Sequence, residues 1–359
     1  MSLIRGLVRN PLNWLLAFLP LAAILQATGA GEVWVLATSA LAMVPLAGLI
    51  GESTEALAYH TGPRLGGLLN ATLGNAAELI ISVVAIREGL LELVKASITG
   101  SILGNLLFVL GLSMFLGGLR NREQSFDRKR ASADSILLVL AVTALAIPSL
   151  FAQASNGIHS PQAVEYLSLG VAALMLALYV LGLVYSLRSQ ASPLSRPSAG
   201  PAVHATSWSI RTALMVLVPT TIGIARMSEI LVGQVEPVVA RLGVSEFFLG
   251  VILVPIVGNI AEHLVAVTVA RKNQMSLAVE IAIGSSLQVA MFVVPFLVFA
   301  SLAMGNPLSL VFNPFELIAL IGGVLITAFV AGDGESNWLE GAELTALYLI
   351  MALAFYFLP

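Results

Sequence analysis

The chain alternates between long apolar runs and short polar breaks, on a scale well above the period of a soluble helix or strand. Runs of about 20 apolar residues, each enough to cross the hydrocarbon core of a bilayer, fall at 12–29, 33–59, 65–86, 96–118, 133–152, 164–187, 210–233, 246–270, 277–303, 314–331 and 341–358. The pattern predicts eleven membrane-spanning helices. Because the runs are continuous, the expected fold is an all-α polytopic membrane protein and not a barrel of short alternating strands. The breaks leave no room for an extramembrane domain. The longest, Arg188–Trp208, is rich in Ser, Pro, Ala and Gly and reads as a flexible linker. The run after Asn10 lacks a good cleavage site and reads as a retained first helix.

Within this series the stretch GNAAELIISVVAI (Gly74–Ile86) returns as GNIAEHLVAVTVA (Gly258–Ala270), and 258 − 74 = 184. At the same offset GSILGN (Gly100–Asn105) matches GSSLQV (Gly284–Val289). A third match pairs Thr54-Glu55 with Ser228-Glu229. The expected organisation is a lone first helix (1–30), a five-helix repeat (31–187), a cytoplasmic linker (188–208) and a second five-helix repeat (209–359). Five is odd, so the second repeat enters the membrane from the opposite side. Inverted repeats of this kind build their site near mid-depth, where the two units meet.

Charge refines the picture. Hydrophobic residues make up 58% of the chain and charged ones only 10%, against roughly 25% charged in a soluble domain. Thirteen Lys and Arg residues, among them Arg120, Arg122, Arg128, Lys129 and Arg130, fall in loops on one side. The other side holds only Arg87, Lys95, Arg226 and Arg241. This positive-inside bias predicts a cytoplasmic N-terminus and an outside C-terminus. The absence of cysteine excludes disulfides, thiolate metal sites and cysteine nucleophiles. Four scattered histidines argue against haem or iron–sulfur chemistry, so no cofactor is expected. Nothing points to nucleic acid.

Each copy of the repeated stretch places one glutamate, Glu78 or Glu262, deep in an apolar run. A carboxylate near the bilayer centre costs about 2.5–3.5 kcal/mol on insertion scales, so such a residue marks a functional site by default. No Lys or Arg lies in the middle of any run to pair with it, so a mobile cation or bound protons must neutralise the pair. Asn75 and Asn259 stand three residues before the glutamates, on the same helical face. Gly74 and Gly258 permit close backbone approach or a local break that frees carbonyl oxygens. Pro255 makes an interruption before Gly258 the more expected. Glu78, Glu262, Asn75 and Asn259 with several carbonyls form an all-oxygen set suited to a hard cation. Ser101, Ser285, Gln288 and Asn105 supply further neutral oxygens nearby.

Structural readings stand beside these. Gly-Asn pairs, serines and glycines in spans also serve helix packing. Glu55 and Glu229 would guard the two mouths, but an interfacial glutamate also snorkels to water, and Glu229 has Arg226 at i−3. His263, opposite Leu79, could relay a proton or tune Glu262, or be a hydrogen-bonded structural residue. Glu280, early in its run, is placed in the inner vestibule without a counterpart in the other repeat, where Ala96 stands.

The paired GNxAE motifs, followed by GSILGN and GSSLQ, resemble the two α-repeats of the cation/proton exchanger (CAX) branch of the calcium/cation antiporter superfamily. The resemblance spans all runs after the first. It implies eleven helices arranged as one plus five plus five, and exchange of Ca²⁺ for H⁺ by alternating access. Glu78 and Glu262 then look like the paired carboxylates for cation or proton, and Asn75, Asn259, Ser101, Ser285 and Gln288 like their polar surround. Some members carry an acidic helix between the halves, but the segment here has no Asp or Glu. The compact chain points to a prokaryotic cell membrane. The expected partners are the lipid bilayer, a divalent cation and protons, and a homo-oligomer is compatible with the sequence. A Na⁺-coupled exchanger and a passive cation channel remain as rivals. A membrane enzyme would need a nucleophile–base pair or HExxH, and neither is found.

Overall fold

The structure is a computed structural model that describes residues 10–154, 161–188 and 208–358. The N-terminal Arg5 and Arg9 and the linker segment with Arg196 lie outside the described residues. The helices are α1 (Pro11–Ala27), α2 (Glu32–Leu73), α3 (Ala76–Arg87), α4 (Leu91–Asn121), α5 (Arg128–Ala154), α6 (Pro161–Arg188), α7 (Ile210–Val232), α8 (Val235–Leu242), α9 (Glu246–Arg271), α10 (Met275–Ala303), α11 (Pro314–Val330) and α12 (Trp338–Phe357). Among the described residues eight helical stretches are long and apolar enough to cross a membrane, and α1 and α11 are shorter apolar helices. The protein is therefore a multi-pass helical membrane protein.

The most enclosed helices are α4 and α10, each with 72% of its apolar window buried, against 28% for α6 and 22% for α12. So α4 and α10 form the centre, while α6 and α12 turn most of their surface outward. Straight, the 42 residues of α2 would reach about 63 Å, twice the hydrocarbon thickness. The helix bends sharply instead. A Cβ on Gly66 would lie 2.6 Å from the carbonyl oxygen of Ala58, eight residues earlier, which no straight helix permits.

Both central helices carry a π-helical turn, Gly104–Val109 in α4 and Val289–Val293 in α10, and α9 carries another at Leu249–Leu253. The first two fall at matching places of the 184-residue offset. The third explains how α9 accommodates Pro255. Proline cannot donate to the carbonyl four residues back. That carbonyl, on Val251, faces Gly100 of α4, where the missing side chain lets the two helices meet. The interruption expected before Gly258 thus lies at Leu249–Leu253, and α9 is helical through Gly258 and Asn259.

Polar contacts gather at two ends. At one end the two-residue strands β1 (Gln124–Ser125) and β2 (Glu335–Ser336) pair antiparallel. There the Gln124 side chain donates to the Ala270 carbonyl and to Asn273 Oδ1, both at 2.9 Å. At the other end Arg241 pairs with Glu32 at 2.7 Å, and Asn306 donates to the Ile86 carbonyl at 2.9 Å. Each end joins only loops that the charge pattern assigns to one side. We call them the Arg271 end and the Arg87 end.

Helices α4 and α5 begin at Leu91 and Arg128, ahead of their apolar runs, and charges near these starts are paired. Lys95 is buried, donating to the Val311 carbonyl at 2.9 Å and lying 2.5 Å from Glu92. Arg130 pairs with Glu280 of α10, and Asp134 is buried one turn further along α5. Arg130→Met leaves both carboxylates buried without that cation, and stability should fall by about 2–4 kcal/mol. Thermal unfolding in detergent measures this, and adding Glu280→Gln should recover part of the loss.

Candidate functional site

The two repeated glutamates meet between α3 and α9. The break after α2 leaves Gly74 and Asn75 in a turn, and α3 starts at Ala76 with Asn75 at its N-cap. Glu78 therefore sits in the first turn of α3, where helix N-terminal amides favour negative charge. Its side chain is buried, 4% exposed. It lies across Gly258 of α9, where a Cβ would come 3.0 Å from Glu78 Cγ and 3.1 Å from Cδ. Gly258 thus admits the carboxylate into the helix interface. Glu262, one helical turn further along α9, lies within Coulombic reach of Glu78, and the Asn259 amide is beside it.

Neutral side chains from the central helices close around the pair. Ser285 of α10 donates to Glu262 Oε2 at 2.5 Å. Asn75 donates to Gln288 Oε1 at 2.7 Å. His263 Nε2 and Asn105 Oδ1 of α4 are 3.1 Å apart, a contact that an imidazole with its proton on Nε2 satisfies by donating. Nine of the expected residues, Asn75, Glu78, Asn105, Gly258, Asn259, Glu262, His263, Ser285 and Gln288, are thereby drawn into one polar cluster, and Gly74 forms the break beside it. Ser101 is buried on α4, but Glu78 does not receive the bond from it that Glu262 has from Ser285.

Within this cluster, both carboxylate oxygens of Glu78 and the Oδ1 of Asn75 are buried without a hydrogen-bond partner among the described residues. The Nδ2 atoms of Asn259 and Asn105 are likewise without one. Buried polar groups are almost always paired, so three unmet acceptors on α3 and its N-cap, beside unmet amide donors on α9 and α4, mark a cluster whose hydrogen bonding is incomplete.

The three acids assigned to the mouths fare differently. Glu55 is exposed on α2. Glu229 is held by Arg226 at 2.9 Å and lies 3.7 Å from Arg87, the pairing weighed beside the mouth role. Glu280 is paired with Arg130 between α10 and α5 and does not stand as a bare vestibule carboxylate. Sequence reasoning missed Glu316, fully buried on α11, which accepts from Thr99 of α4 at 3.0 Å and closes a capping box with Asn313. Its signal was the N-P-x-E start of α11, a helix-capping pattern that says nothing of the partner on α4.

Comparison with known proteins places this geometry in context. The family model for sodium/calcium exchanger proteins matches residues 31–188 and 212–357. A Ca²⁺/H⁺ antiporter of Synechocystis is 43% identical, over 96% of this chain and 96% of its own. The structure of native YfkE superposes with a TM-score of 0.83 at 42% identity, covering 95% of this chain and 98% of that one. The H⁺/Ca²⁺ exchanger CAX shares the fold, with a TM-score of 0.71 at 18% identity, covering 96% of this chain and 91% of that one.

The His263–Asn105 contact offers a local check. Asn105→Ala leaves the buried imidazole Nε2 without its acceptor, and stability should fall by about 1–3 kcal/mol. Thermal unfolding of the purified variant reads the change.

Proposed function

Because the chain belongs to the sodium/calcium exchanger protein family, we propose that it is an antiporter that exchanges Ca²⁺ for H⁺ across a cell membrane. The observation that carries this reading is the set of unmet buried acceptors, Glu78 Oε1 and Oε2 with Asn75 Oδ1, facing Glu262 across Gly258. Among the described residues no group of three or more His, Cys, Asp or Glu is placed to hold a metal. The two glutamates are therefore completed by Asn75 and Asn259, with Ser285, backbone oxygens and water, the ligand chemistry of a hard cation.

The mechanism follows from charge. Two carboxylates in a membrane interior cannot cross uncompensated. A divalent cation neutralises both, and so do two protons. The two fillings exclude each other, and a site open to one side at a time then exchanges one for the other. Asn75, tied to Gln288, and Ser285, bound to Glu262, hold the oxygens in place, and His263 beside Glu262 tunes it or passes protons.

We read the architecture as eleven spans, a lone α1 followed by five-helix units at 31–187 and 209–359 inserted in opposite senses. The motif pairs at offset 184, the matching π turns of α4 and α10, and the gathering of loops into two ends support it. The basic loops of the Arg271 end put that face in the cytoplasm, with the N-terminus inside and the C-terminus outside. The relatives are named as transporters, and covalent catalysis has no part in this reading.

The test is transport by purified protein in liposomes. A proton gradient should drive Ca²⁺ uptake, a Na⁺ gradient should not, and no current should flow without a counter-gradient. Glu78→Gln and Glu262→Gln should each reduce exchange to background. Robust exchange by either variant overturns the assignment. Gln288→Ala frees the Asn75 amide and should raise the Ca²⁺ concentration for half-maximal rate by about five- to tenfold.

A further inference from the structure

At the Arg87 end α4 is shut tightly against α9. Gly250 brings α9 onto α4 so closely that a Cβ there would lie 2.6 Å from Ala96 Cβ and 2.9 Å from the Leu93 carbonyl oxygen. Gly100, two helical turns along the same face of α4, meets Val251 and Pro255. At the matching place of the other repeat the contact differs. A Cβ on Gly284 would meet nothing within 4 Å among the described residues.

One polar bond crosses the shut face. The first turn of α4 has no side-chain cap of its own, since Leu90 occupies the N-cap position. The carboxylate of Glu246, at the start of α9, accepts from the Leu93 N–H at 3.0 Å. Ser245 fixes Glu246 in place by capping that same turn of α9, accepting from Phe248 N at 3.1 Å. Glu246 forms no ion pair among the described residues, and its charged neighbours Glu92 and Glu236 are acids. The bond to α4 is thus the favourable contact given to this carboxylate, and it exists only while α4 and α9 are together.

The offset of 184 maps Leu93 onto Leu277, whose N–H donates to the Gln274 carbonyl at 3.1 Å and not to a carboxylate. Among the described residues the two matching helix starts are thus capped differently. We infer that Glu246 is a one-sided latch, a positioning residue that holds the Arg87 end closed and biases the carrier toward exposing its site at the Arg271 end. The inference rests on the two-ended reading of the proposed function, but not on which ion is carried. A ligand shifts such an equilibrium only through differential interaction, and an internal bond made in one state alone does the same.

The chain has no cysteine, so one introduced thiol reports opening without background. Ser97 is buried on α4, on the face shared with Leu93 and Gly100, and Ser97→Cys changes its size little. In the full-length protein, a water-soluble maleimide should label Ser97→Cys about five- to tenfold faster when Glu246→Ala is added, the shift expected from losing one charge-assisted bond. Glu246→Gln keeps an acceptor oxygen and should fall between the two. In liposomes, Glu246→Ala should lower the half-saturating Ca²⁺ concentration at the Arg87 face and raise it at the Arg271 face, a split that general loss of stability would not produce. Unchanged labelling in Glu246→Ala overturns the latch. Faster labelling in a protein that shows no Ca²⁺/H⁺ exchange keeps the latch and overturns the proposed transport.

Discussion

Two carboxylates lie close together in the interior of a membrane protein with no basic side chain bonded to either among the described residues, and most of the local structure answers to that constraint. Glu78 reaches the site because Gly258 has no side chain in its way, and because the helix breaks at Gly74 and Asn75 and restarts with Glu78 in its first turn. Glu262 is held by one hydroxyl, from Ser285. None of these neighbours carries a compensating charge. Buried acids elsewhere in the chain are treated differently. Glu280 has Arg130, and Glu316 has Thr99, a capped helix end and Lys95 within Coulombic reach. The contrast separates acids paired within the fold from two that have no basic partner among the described residues.

The halves are alike in sequence and unlike in arrangement. Gly-Asn interrupts the chain between α2 and α3, yet the same pair lies inside continuous helix in α9. Ser285 binds its glutamate, and Glu78 is without any such bond. Gly100 is pressed against α9, and Gly284 is open among the described residues. Under the inverted-repeat reading these differences have a physical reason. A carrier closed at one end must hold one unit in the closed form and the other in the open form, so equal sequences adopt unequal packings. The energy gap between such packings need be only a few kcal/mol, within reach of a few contacts.

What was legible in the sequence was whatever a single run or a repeat could carry. Apolar length located the helices, and recurrence at a fixed offset picked out Glu78, Glu262 and their amide and hydroxyl neighbours. Positions lacking a counterpart were harder. Glu280 was taken for a vestibule acid because its partner Arg130 stands 150 residues away and had been counted as a loop charge. Lys95, a charge of the Arg87 end, is buried there against the Val311 carbonyl and paired with Glu92, a placement that charge counting does not distinguish from an exposed one. A charge at the end of an apolar run looks the same in sequence whether it faces water or is paired inside. Glu229 shows the reverse case. Its local partner Arg226 was visible at i−3, and the structure adopts that pairing.

These placements leave little for a moving part to do in selecting the ion. Under the proposed exchange the charge of the glutamate pair is met by one divalent cation or by two protons, and both give a neutral interior. In that reading coupling arises where the charges sit, in Glu78 and Glu262, and the packing of α4 on α9 sets which end is open. Separation of the two tasks accounts for where charged and small residues fall. Acids stand at the point where the repeats meet, glycines stand where helices must close and part, and ion pairs such as Arg130–Glu280 tie outer helices to central ones that should move with them. A cation bridging both glutamates would also draw α3 and α9 together across Gly258, so ion binding and helix packing act on the same contact. That shared contact is where occupancy of the site can influence which end opens.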